Sequence, residues 1–201
     1  MSPETNEAHF SRIRAPLLAL VGSALYATLR YQVFKGVPWS DWPAYTLNKA
    51  FGLAALLLLA FSAIRKPSPR ECPREHTLHM AGVFATLHVL LSLTLLSPAY
   101  YQGFFRDNKL TAVAGFSMLL GALAAVFMAL GLRPRTAPGA ERGPSTLPCL
   151  SLVVGFHAML QGFPGWFTPA QWPGMLPPIT LISFLLGLAA VAIAIAQKRQ
   201  S

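Results

Sequence analysis

Charge is scarce in this chain, and acid is scarcer still. Only 11% of the 201 residues are charged, against about a quarter in an ordinary soluble domain. Seven residues are Asp or Glu, and none falls within the long apolar runs, so a membrane proton relay has no carboxylate to pass its proton to. Cysteine is nearly absent. Cys72 and Cys149 are the two in the sequence, neither in a CxxC spacing, so no metal knuckle or redox motif is present. No Cys, Asp or Glu accompanies the histidines at membrane depth, so a four-ligand zinc site is incomplete. No glycine-rich dinucleotide fingerprint occurs. Nor does any internal repeat stand out, which weighs against an inverted-repeat transporter.

Apolar residues are what the chain has in quantity, at 54% hydrophobic with a mean hydropathy of +0.48. They cluster into six runs near 15–34, 48–64, 77–97, 110–132, 148–165 and 177–196. Each is close to the roughly 20 residues at 1.5 Å rise that a bilayer core requires. The expected fold is all-α: a polytopic membrane protein with a six-helix bundle over 15–197, a polar tail at 1–14 and a short tail at 198–201. Glu4 and Glu7 precede Arg12 and Arg14, and no small-residue cleavage site follows, so the first run reads as a retained helix.

The net charge of +9 is a topology signal and calls for no nucleic acid. Arg12, Arg14, Arg65, Lys66, Arg70, Arg74, Arg133, Arg135, Arg142, Lys198 and Arg199 fall on one side of an alternating six-helix path. Arg30, Lys35, Lys49, Arg106 and Lys109 fall on the other. The positive-inside rule then puts both termini in the cytoplasm. On that side the two cysteines face a reducing compartment, which disfavours a disulfide, and Cys149 reads as a small buried residue. Trp39, Trp42, Trp166 and Trp172 occupy the opposite loops, where amphipathic aromatics anchor at the interface. The aromatic loops around Trp39 and Trp166 are the expected docking surface.

Of five histidines, His9 lies in the polar tail and His76 in or beside a basic loop, and His79 can snorkel to the surface. His88 and His157 cannot. His88 lies eleven residues into the third run, about 16 Å, and His157 nine residues into the fifth, about 13 Å. These runs point the same way, so the imidazoles share a depth. Two readings remain open. Each histidine is packing glue hydrogen-bonded to a neighbouring helix, as in a non-redox scaffold or assembly protein, or the two are axial ligands of a haem iron. Under the second reading, Arg30 and Lys49 are candidates to pair with haem propionates, with simple snorkelling as their alternative.

The stretches "LNKAFGLAALLLLAFS", "GVFATLHVLLSL", "LSPAYY" and "VVGFHAMLQG", with a histidine in the third and the fifth helix, resemble the ferric-reductase-like transmembrane domain. That family includes ferric reductases, the membrane halves of NADPH oxidases, and single-haem subunits of bacterial periplasmic methionine-sulfoxide reductase systems. The resemblance implies a b-type haem protein of a bacterial inner (plasma) membrane, with His88 and His157 as axial ligands. Electrons would come from a separate cytoplasmic flavin reductase or a quinol and pass to an outer-face acceptor, so whether the chain is itself an oxidoreductase depends on where that acceptor is reduced. Larger members hold a second haem, for which His76 or His79 would serve on the third helix. The fifth helix offers only "PSTLPC" there, so one haem is implied.

Overall fold

The computed structural model describes residues 3–64, 73–132 and 147–199. It is an all-α bundle of α1 (Pro3–Thr28), α2 (Leu47–Ile64), α3 (Pro73–Thr94), α4 (Ala112–Gly131), α5 (Leu147–Gly162) and α6 (Ile179–Arg199). Among the described residues six spans are long and apolar enough to cross a membrane: Ile13–Phe34, Trp39–Ile64, His76–Thr94, Ala112–Gly131, Leu147–Phe167 and Pro173–Gln197. These match the six apolar runs of the sequence. The helix α1 begins at Pro3, so helical backbone runs through the polar N-terminal stretch.

The helix α2 is the axis of the bundle. Some 61% of its apolar span is buried within the protein, against 28% or less for the others. Its sequence explains this: Ala50, Ala54, Ala55, Ser62 and Ala63 alternate with Leu53, Leu56, Leu58 and Leu59, all buried, so small residues admit neighbours on several sides. It packs against α1, α3 and α6, while α5 packs between α4 and α6. The α5–α6 contact is close because both backbones lack side chains there. A Cβ on Gly187 would stand 2.7 Å from the Ser151 carbonyl and 3.2 Å from Gly155 Cα. The α3 and α4 helices meet at one end, where a Cβ on Gly82 would reach Leu132 at 2.9 Å.

The end of the bundle away from the termini is closed by polar ties between loops. A π turn at Leu29–Phe34 continues α1, and another at Trp42–Thr46 leads into α2. Thr46 donates to Gln32 Oε1 at 2.8 Å, Trp42 Nε1 to Thr28 Oγ1 at 2.8 Å, and Tyr26 to the Pro177 carbonyl at 2.5 Å. Between α3 and α4 the strands β1 (Phe105–Arg106) and β2 (Lys109–Leu110) form a hairpin. Asp107 and Asn108 both take positive φ there, as a two-residue loop matching the strand twist demands.

Two expectations fail in detail. Trp166 is only 8% exposed, and its indole donates to Thr180 Oγ1 at 3.0 Å, so it ties α5 to α6 and is no interface anchor. The exposed apolar side chains at that end include Trp39, Phe163, Phe167 and Met175. Cys149 is exposed, because the face of α5 that packs inward there carries Leu147, Leu150 and Ser151. Cys72 lies outside the described residues.

Candidate functional site

His88 on α3 and His157 on α5 are each turned toward the helix that precedes theirs in the chain. His88 Nδ1 lies 3.0 Å from the Asn48 carbonyl of α2. His157 Nδ1 lies 2.8 Å from the Ser117 carbonyl of α4. A carbonyl can only accept, so each Nδ1 carries the proton and each Nε2 carries the lone pair. This is the tautomer and second-sphere contact that metal-binding histidines use, with the acceptor fixing the ring and raising the basicity of the other nitrogen.

One turn beyond each carbonyl the neighbouring helix has a glycine, and the imidazole occupies the space a side chain would fill. A Cβ on Gly52 would stand 3.1 Å from His88 Nδ1 and 3.2 Å from Cε1. A Cβ on Gly121 would stand 3.5 Å from His157 Cε1 and 3.6 Å from Nδ1. Gly121 on α4 thus makes room for an imidazole, not for a helix backbone.

The two arrangements are the same construction used twice. A step of 69 residues carries Asn48 to Ser117, Gly52 to Gly121, His88 to His157 and Ser92 to Gln161. In each copy the polar residue one turn after the histidine reaches back to the residue whose carbonyl holds the ring. Asn48 Nδ2 donates to Ser92 Oγ at 3.0 Å, and Gln161 Nε2 donates to Ser117 Oγ at 3.2 Å. The expectation of no internal repeat is corrected here: few intervening residues coincide, and the repetition lies in the contacts. Both copies run the same way along the chain, carbonyl helix first and histidine helix second, so this is a direct repeat.

The copies differ at the free nitrogen. Gln161 Nε2 donates to His157 Nε2 at 2.8 Å, so His157 has a partner on both nitrogens. His88 Nε2 makes no hydrogen bond among the described residues.

Lys49 sits over Tyr45 and Tyr101, its ammonium 5.3 and 4.8 Å from their ring centroids. Arg30 is 7% exposed, with one terminal nitrogen on the Leu176 carbonyl, while its buried Nε has no partner. Lys35 completes the group: partial burial first, then repulsion from Lys49 and Arg30, holds its ammonium below the usual lysine range. Three cations thus gather near one end of the bundle with no ion pair among the described residues, an arrangement that favours an anionic group.

The remaining two candidates lie apart. His79 is exposed and His76 partly buried near the start of α3. The 69-residue step takes His79 to Pro148, so its counterpart on α5 has no ligand to offer. Sequence reading missed Asn48, Gly52, Ser117, Gly121, Ser92 and Gln161. The signal that could have found them is the pair of i, i+4 glycines and polar residues at constant distance from each histidine.

No protein-family model matches the chain, and no curated protein matches it. The geometry therefore carries the functional argument.

Proposed function

We propose that this chain is a b-type haem electron-transfer subunit of a membrane, binding one haem. The observation that carries the reading is the matched pair of imidazoles, each holding its proton on Nδ1 against a backbone carbonyl and keeping its lone pair on Nε2. Packing alone does not account for His88. A hydrogen bond between membrane helices contributes about 0.6 to 1.7 kcal/mol, and the one at Nδ1 already supplies it, so packing gives no role to Nε2, which has no hydrogen bond among the described residues.

The residues present fit the group. His88 and His157 would hold the iron, and Arg30 with its unpartnered Nε, together with Lys49, would hold the propionates. When bound, the haem supplies a reversible one-electron carrier whose potential follows axial ligation, charge and burial. The chain's own part is to orient the rings, exclude water and place positive charge. The Asn48 and Ser117 carbonyls fix ring rotation, and Gly52 and Gly121 let the rings lie against the helices. Lys49 and Arg30 favour the more negative, reduced state.

Electrons would enter from a cytoplasmic flavin reductase or from quinol and leave to an outer-face acceptor. The eleven basic residues on the side of the termini support a cytoplasmic placement of that end, and a bacterial inner membrane suits this arrangement. The test is a reduced-minus-oxidised absorption spectrum of purified protein expressed with haem supplied. A b-type spectrum in the wild type that is lost or altered in His88→Ala and His157→Ala supports the proposal. A folded wild type with no haem spectrum would return the histidines to packing and the chain to a scaffold role.

A further inference from the structure

The two hairpins are equivalent except at the nitrogen a ligand would use, and that exception has a chemical consequence. Gln161 donates one N–H to His157 Nε2 at 2.8 Å and its other to Ser117 Oγ at 3.2 Å. A flipped amide would fit less well. It would require the proton on Nε2, leaving a bare Nδ1 lone pair facing the Ser117 carbonyl at 2.8 Å, acceptor against acceptor. In the other hairpin the equivalent residue, Ser92, is too short to do this and turns to Asn48, with its hydroxyl 3.2 Å from Oδ1.

We infer that Gln161 is a positioning residue that competes for His157 Nε2, making His157 the releasable ligand of the pair and His88 the permanent one. The inference rests on the haem reading above. With haem bound, the His157 Nε2 lone pair would have two alternative partners, the iron and the Gln161 amide N–H that it meets here, and taking one would mean giving up the other. No atom is transferred and no electron changes hands. The released position accepts a small neutral ligand, so the reduced protein should bind carbon monoxide on the His157 side.

The experiment is a carbon monoxide titration of the reduced, haem-loaded full-length protein, comparing wild type with Gln161→Leu, Gln161→Met and Ser92→Gln. Removing the competitor should strengthen His157 ligation and weaken carbon monoxide binding about fivefold, equivalent to about 1 kcal/mol at 1.4 kcal/mol per decade. Ser92→Gln should move the other way, because it supplies the His88 side with the same competitor. A structural role for Gln161 alone would not produce that opposite response. Histidine nitrogen chemical shifts of haem-free protein give a second readout: His157 Nε2 should shift in both Gln161 variants while Nδ1 keeps its proton. Unchanged or tighter carbon monoxide binding in both folded Gln161 variants overturns the inference and leaves the haem reading standing. A wild type that takes up no haem removes both.

Discussion

The α2–α3 and α4–α5 hairpins hold a histidine by the same three contacts, yet one is built into the centre of the bundle and the other onto its side. The α2 span is 61% buried and the α4 span 11%. In the central hairpin the space around the ring is tight, with a hypothetical Gly52 Cβ only 3.1 Å from the imidazole; in the peripheral one the equivalent distance is 3.5 Å. The central hairpin leaves its Nε2 open and the peripheral one covers it with Gln161. The lesson is that ring orientation and lone-pair availability are set separately. Orientation comes from a backbone carbonyl and a glycine on the neighbouring helix, and availability from the single side chain one turn beyond the histidine.

The largest test of this comparison is to remove each ring. His88→Ala should abolish haem retention, since it takes away the permanent ligand. His157→Ala should retain a fraction of the haem with an open coordination position, seen as a high-spin absorption spectrum. Equal and complete loss in both would erase the proposed asymmetry. Next comes the space for the ring. Gly52→Ala should force His88 to move and destabilise the protein by about 1–3 kcal/mol, the usual cost of overpacking. Gly121→Ala makes only ordinary contact and should cost less than about 1 kcal/mol. Thermal unfolding in detergent, followed alongside haem content, separates the two.

The side-chain ties give a smaller effect. Asn48 bonds both Ser92 and Tyr101, the latter at 3.0 Å, whereas Ser117 Oγ receives Gln161 and lies 3.2 Å from His157 Nδ1. Asn48→Ala should therefore cost more than Ser117→Ala, each within about 2 kcal/mol. Neither should abolish haem binding, because the carbonyls that hold the rings remain. The smallest effect expected is on potential. Lys49→Met removes the cation next to Asn48, whose carbonyl holds His88, and should lower the haem midpoint. A tenfold change in the one-electron equilibrium corresponds to about 59 mV, and redox titration resolves shifts well below that.

Much of the fold is legible in the sequence because apolar runs of membrane length are a one-dimensional signal. All six are visible in this way, as are the two histidines placed inside the third and the fifth. What was hidden depends on contacts between distant segments. Nothing near Arg30 in the sequence announces that its terminal nitrogen meets the Leu176 carbonyl, 146 residues further along the chain. Trp166 was read as a surface residue because nothing local predicts its bond to Thr180. The repeated hairpin escaped notice because Leu, Ala, Val and Phe substitute freely on lipid-facing surfaces. Only four positions per copy are constrained, and two of them differ in residue type. Asn48 and Ser117 are interchangeable in their main role since each contributes a backbone carbonyl, which no side-chain comparison detects.

The central claim is that both hairpins aim one imidazole at the same iron. Low-temperature paramagnetic resonance of the oxidised, haem-loaded protein, paired with a haem-to-protein ratio, tests it most directly. One low-spin, bis-imidazole haem per chain, lost when either His88 or His157 is replaced, is the result the account predicts. A folded protein without haem, or one whose low-spin signal survives both replacements, would contradict it.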